Sequence, residues 1–215
     1  MFFTYFKNKT NTGKGDWILR KKSHISLAIY IADSLNSIEL KRHRKAFFIG
    51  SILPDCKPSF FTTKHEYLGT ISMVENKIKQ LTSAYNPLQY NERSYVIDLG
   101  QVLHYVADYF TFPHNVTYGG NLKDHCKYEK ELKFGLRSYI KSGDALKAHS
   151  ELKNFTSCEA LFKFIEKAHQ EYISLKRNVQ EDCMYIVSVC RQVAEAILNL
   201  LSLQKEKTFG LVYAH

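Results

Sequence analysis

An all-α domain, folded as a multi-helix bundle, is what the sequence predicts. Apolar residues recur at helical spacing along most of the chain, and turn-forming residues are scarce, with 10 Gly and 4 Pro among 215 residues. No convincing strand, internal repeat or low-complexity stretch interrupts that pattern. The length suits one large domain, and an apolar content of 45% is enough for a sizeable core. Residues 1–16 read as a flexible leader, and residues 17–215 as a single helical domain.

The first helix is expected from Ser23, a good N-cap, to Leu35, with Ile25, Ala28, Ile29 and Ala32 on one side. A short apolar segment, Ala46 to Leu53, ends at Pro54-Asp55, where proline forces a turn. A loop follows, carrying Phe60 and Phe61. His65 to about Ser83 is a second long helix, broken by Asn86-Pro87. Ser94 to Phe112 is a third, apolar along Val96, Leu99, Val102, Leu103 and Val106, and stopped by Pro113. Leu122 to Ile140 is a fourth, closed by Ser142-Gly143. Thr156 or Ser157 opens a fifth, and Glu181 to about Gln204 is the last and most hydrophobic.

The formal charge is +9, from 30 Lys and Arg against 21 Asp and Glu. A basic surface favours anionic partners such as acidic lipid, nucleic acid or phosphorylated substrates, although scattered lysines also simply solvate helix faces. The densest basic runs are Arg20 to Lys22 and Lys41 to Lys45. The five Cys include no C-x-x-C pair, which excludes a disulfide framework and a thiolate zinc site. A reducing, cytoplasmic location is the expectation. The N-terminus lacks the apolar core of a signal peptide, and no run of about 18 apolar residues suggests a membrane span.

Chemistry concentrates in two patterns, His104-x-x-x-Asp108 and His125-x-x-x-Glu129. Residues four apart on a helix share a face with Cβ atoms about 6 Å apart, close enough to share one ion. Imidazole and carboxylate suit zinc. One such pair alone is more often a helical ion pair. Two of them, with His114 between and the first in a strongly apolar helix, argue for a metal, because burying an unpaired charge costs several kcal/mol. Asp55 after Pro54, His65 and His24 are weaker signals that ordinary turn or helix-start roles would also explain.

Taken together, the residues resemble the zinc-dependent phospholipase C family. That family includes bacterial phosphatidylcholine-cleaving enzymes and clostridial alpha-type toxins, and shares its fold with zinc-dependent single-strand nucleases. The ordered set is Trp17, His24, Gly50 to Asp55, His65, His104 with Asp108, His114, and His125 with Glu129, running from Trp17 to about Leu132. The resemblance implies a fold of the phospholipase C / zinc nuclease type and two or three zinc ions. Asp55, His65, His104 and Asp108 would hold one, and His114, His125 and Glu129 a second. His24, Asp108 and backbone groups of Trp17 would hold a third. Asp55 is also the implied general base.

The chain departs from the pattern in two places. The family's Trp is a free N-terminus in secreted members, whereas Trp17 is internal here. Arg20, Lys21 and Lys22 stand where choline-cleaving members carry an acidic residue, so a cationic headgroup is not expected. Phe60, Phe61 and Tyr67 are expected either to wall a substrate pocket or to pack as ordinary core and loop residues. The function expected is hydrolysis of a phosphodiester, phospholipid-like or otherwise anionic, by metal-activated water, with peripheral membrane contact. The alternatives are a zinc nuclease or nucleotide phosphoesterase, and a non-catalytic metal- or lipid-binding relative.

Overall fold

Helices form where the sequence pairs a cap with an apolar stripe, and they meet where glycine lets their backbones approach. A computed structural model describes residues 12–56, 66–83, 85–147, 153–175 and 178–212, with side chains outside the description at 12–20, 146–147 and 209–212. In chain order the helices are α1 (Thr12–Ser34), α2 (Ile38–Arg42), α3 (Arg44–Ile52), α4 (Tyr67–Ser83), α5 (Glu92–Tyr109), α6 (Leu122–Lys141), α7 (Asp144–Lys147), α8 (Cys158–Ser174) and α9 (Val179–Val212). Among the described residues, single 3-10 turns at Pro54–Cys56 and Phe112–His114 interrupt them. No strand occurs among the described residues, in agreement with the all-α expectation.

Side-chain caps fix several of the helix starts. Ser37, Asn91 and Ser157 each accept a hydrogen bond from the backbone N–H three residues on, satisfying donors that the first helical turn leaves open. Asn121 and Asp124 form a reciprocal capping box at α6. The start of α1 differs from the expectation. The helix begins at Thr12, so Ser23 is an interior residue and not a cap, and residues 12–16 are helical where a flexible leader was expected. Trp17 to Lys22 contains no Gly or Pro, so nothing in that stretch stops a helix from extending back from His24. Residues 1–11 lie outside the described residues.

α5 lies at the centre, packed on α3, α4 and α9. Val96, Leu99, Val102, Leu103 and Val106 of α5 are buried against a core that also takes Ile31 of α1, Leu35 just after it, Phe47 of α3 and Ile78 of α4. α9 is long and apolar enough to cross a membrane by length and composition. Here its Ile186, Val189, Val193, Ile197 and Leu201 are buried in the same core, and it also packs on α4 and α6. That is the ordinary condition of a helix sealing a bundle.

The α3–α5 crossing sets the position of the site. A Cβ on Gly100 would lie 2.6 Å from the Phe47 carbonyl oxygen and 2.7 Å from the Ser51 nitrogen, and a Cβ on Gly50 would strike the Ile97 backbone. Without side chains at those two places the helices touch backbone to backbone. This brings the Ser51 carbonyl within 2.9 Å of His104 Nδ1.

Gly100→Ala tests that contact. Alanine gains up to about 1 kcal/mol of helix propensity over glycine, whereas overpacking costs about 1–3 kcal/mol. Here the clash is with backbone, so the steric term should win and the denaturant midpoint should fall. A midpoint equal to or above wild type would show that the crossing tolerates a methyl group.

Candidate metal centre

Asp108 is the hub. It lies on the buried face of α5, one turn beyond His104, with 2% of its surface exposed. Its Oδ1 lies 3.4 Å from His24 Nε2 and 3.5 Å from His114 Nδ1, and its Oδ2 lies 3.3 Å from His104 Nε2. Asp55, in the turn after α3, reaches His104 Nε2 at 3.7 Å. On α6, Glu129 Oε1 is 2.8 Å from His125 Nε2 and 3.3 Å from His114 Nε2. The chain therefore gathers His24, Asp55, His104, Asp108, His114, His125 and Glu129 from α1, two turns, α5 and α6 into one region.

The electrostatics of the set point to a cation. The Ser51 carbonyl can only accept, so His104 Nδ1 carries a proton and donates it there. Its Nε2 faces Asp108 and Asp55 oxygens. His114 likewise meets a carboxylate oxygen at each ring nitrogen, although a neutral imidazole has one proton to offer. Burial, then His104, pushes His24 towards the neutral form. For His104 burial acts the same way, but the Asp108 and Asp55 charges outweigh it and hold the ring above its ordinary range. Burial would raise Asp108, yet His114 and His104 keep it well below the usual carboxylate range. Three buried carboxylates facing imidazole nitrogens are what a divalent ion satisfies at once.

Two sets converge to within 4.8 Å between donor atoms: His24 with His104 and Asp108, and His114 with His125 and Glu129. Nitrogen and oxygen donors in these numbers fit zinc. The second set has the same three residues that the resemblance implies for one ion. The first divides differently, because His24 and His104, expected on separate ions, stack at 4.0 Å beside the same carboxylate. Asp108 touches imidazoles of both sets, consistent with a bridging role.

Not every expected site residue belongs to these two sets as described. His65, Phe60 and Phe61 lie outside the described residues. Trp17 is interior to α1, where its backbone groups are part of the helix. Tyr67 stacks on His169 at 4.1 Å and meets Tyr109 edge-on at 5.1 Å, packing against the core. It is not among the residues lining the cavity beside His24, Asp108, His114 and Glu129, whose inner wall is Leu27, Leu132, Leu136 and Ile186.

Asp182 on α9 was not singled out by the sequence. It is fully buried and accepts three hydrogen bonds: from the Phe112 N–H at 2.9 Å, the Tyr128 hydroxyl at 2.8 Å and the Tyr172 hydroxyl at 2.7 Å. It thereby ties the His114 turn to α6, which carries His125 and Glu129, and to α8. Asn115 secures the same turn by donating to the Thr111 carbonyl at 3.0 Å, and its side-chain oxygen lies 3.0 Å from His169 Nε2. Asp182 is 70 residues from Phe112, and no local spacing announces such a partner.

With the ligand geometry in place, one comparison decides the family. Residues 23–179 match the family model described as zinc dependent phospholipase C. The chain belongs to that family. Comparisons with curated proteins and with solved structures returned no match. The family is one of zinc-dependent hydrolases acting on phosphoester bonds, and the matched span contains every described ligand named above.

Asp182 yields a pH prediction. Burial raises its carboxyl to about 6, against the pull of its three donors. A folded pKa above the unfolded value means that this group's contribution is full at low pH and is lost as pH rises through about 6. Wild-type stability relative to Asp182→Asn should therefore fall between about pH 4 and pH 6 by roughly 3 kcal/mol, at about 1.4 kcal/mol per unit. Chemical denaturation of both proteins across that range measures the difference. A pH-independent gap would contradict the assignment.

Proposed function

We propose that this zinc-dependent phospholipase C relative hydrolyses a phosphodiester, and that Asp55 is its general base. The observation that carries the reading is the convergence of two donor sets on the Asp108 carboxylate, a geometry suited to ions sharing one bridging ligand. Two zinc positions follow from the described donors, and a third depends on His65 and on what precedes His24. Zinc bound there would supply Lewis acidity, lowering the pKa of water and offsetting charge on the non-bridging phosphate oxygens.

The protein's own part is to hold, orient and exclude. The Ser51 carbonyl fixes the His104 ring so that Nε2 points into the site. The Asp182 clamp fixes the turn bearing His114, and the capping box at Asn121 fixes the first turn of α6, where His125 projects. Asp55 follows a rigid proline turn and faces the His104–Asp108 pair, where its carboxylate can take the proton of an attacking water. The apolar wall of Leu27, Leu132, Leu136 and Ile186 limits water on the inner side, which strengthens each electrostatic contact.

Asp55→Asn separates the base from the ligand role. The variant should keep most of its zinc by elemental analysis and lose about 100-fold or more of its turnover of bis(4-nitrophenyl) phosphate, the usual scale for a positioned base. Wild-type turnover would reject Asp55 as the base. Zinc lost in proportion to activity would make it a ligand first.

A further inference from the structure

Beside the ligands runs a group of cations with no acidic partner. His125, Glu129, Lys133 and Arg137 follow one another at four-residue intervals, so they lie along one side of α6, two ligands and then two cations. α1 packs alongside α6. Arg137 Nε donates to Ser26 Oγ at 3.2 Å, and Ser26 is one turn from Lys22, whose carbonyl it reaches at 2.8 Å. Lys22, Lys130, Lys133 and Arg137 therefore meet at the outer edge of the α1–α6 seam. None has an acidic side chain within ion-pair distance among the described residues.

Lys133 stands out within the group. Its stem is covered, with 7% of the residue exposed, and its ammonium lies 4.0 Å above the Phe134 ring, towards the surface. Burial, then the charges of Lys22, Arg137 and Lys130, lowers its pKa, so every neighbouring charge acting on it is positive. The other basic run behaves differently. Arg42 is paired with Glu92 at 2.7 Å and Arg44 with Asp33, which compensates both arginines of that run. An uncompensated cluster costs free energy through mutual repulsion and is stabilised by an anion.

We propose that Lys22, Lys133 and Arg137, with Lys130 at their edge, bind a second phosphate carried by the same substrate as the scissile phosphodiester. This rests on the hydrolase reading and adds the class of molecule hydrolysed. Lys133 and Arg137 stand one and two turns from Glu129, or about 6 and 12 Å along the helix. The two phosphates must span roughly that interval, as in a phosphorylated inositol-type headgroup or a nucleotide bearing a second phosphate. A quaternary ammonium headgroup would meet repulsion at the same place.

The test is equilibrium binding to zinc-loaded protein by calorimetry. The probes are propyl phosphate, propane-1,3-diyl bisphosphate, inositol 1,4-bisphosphate and thymidine 3′,5′-bisphosphate. Wild type should prefer at least one bisphosphate over the monophosphate, and the double variant K133Q/R137Q should reduce that preference about tenfold or more, as expected for one or two charge-assisted contacts. The bisphosphate whose preference falls most identifies the source, lipid-type headgroup or nucleotide. K22Q, on the other helix, should reduce the same preference, which keeps the test valid if the double variant folds poorly. No bisphosphate preference in wild type, or a preference that survives both variants, overturns the proposal. Failure of the hydrolase reading shows separately, as zinc-loaded wild type that does not turn over bis(4-nitrophenyl) phosphate.

Discussion

A carboxylate buried at the centre of a helical bundle must be compensated, and Asp108 is that carboxylate. Three imidazoles, from α1, α5 and the turn after α5, face its two oxygens. Two more carboxylates, Asp55 and Glu129, stand behind those imidazoles. Protons on the rings compensate part of this charge. Burial drives His24 towards the neutral form while the carboxylates favour a proton on His104, and divalent ions would offset the charge that such protons leave.

The surrounding architecture serves to hold these groups against their mutual repulsion. Gly50 and Gly100 let α3 lie directly on α5, so that a backbone carbonyl can orient His104. Asp182 reaches from α9 to hold the His114 turn, which gives the last helix a part in the site beyond sealing the core. A ligand cluster drawn from α1, α5, α6 and two turns keeps its geometry only if its carriers are anchored: the Ser51 carbonyl anchors His104, Asp182 the His114 turn and the Asn121 capping box the start of α6.

The helical character and the ligand pairs were legible in the sequence for the same reason: both are local. His104 with Asp108 and His125 with Glu129 are four apart, and helix periodicity alone puts each pair on one face. The caps at Asn91, Asn121 and Ser157 were not all anticipated, and the third helix begins two residues earlier than its periodicity suggested, at Glu92 behind the Asn91 cap. The grouping of His24 with His104 depends on how α1 packs across α5, which no spacing encodes. Asp182 is a first-turn acid of a hydrophobic helix, a position with no signal of its own in the sequence. Its three donors come from residues 112, 128 and 172, which only the folded chain brings together. The basic seam was half visible as the Arg20 to Lys22 run; its other half, Lys133 and Arg137, is ordinary helix-surface sequence until α1 lies beside it.

Anomalous diffraction at the zinc edge from crystals of the purified protein tests the central claim most directly. The account predicts at least two zinc peaks, one among His24, His104 and Asp108 and one among His114, His125 and Glu129, with Asp108 between them. Fully occupied zinc elsewhere, or no peak within bonding distance of Asp108, His104, His114 or Glu129 after growth in zinc, would contradict it.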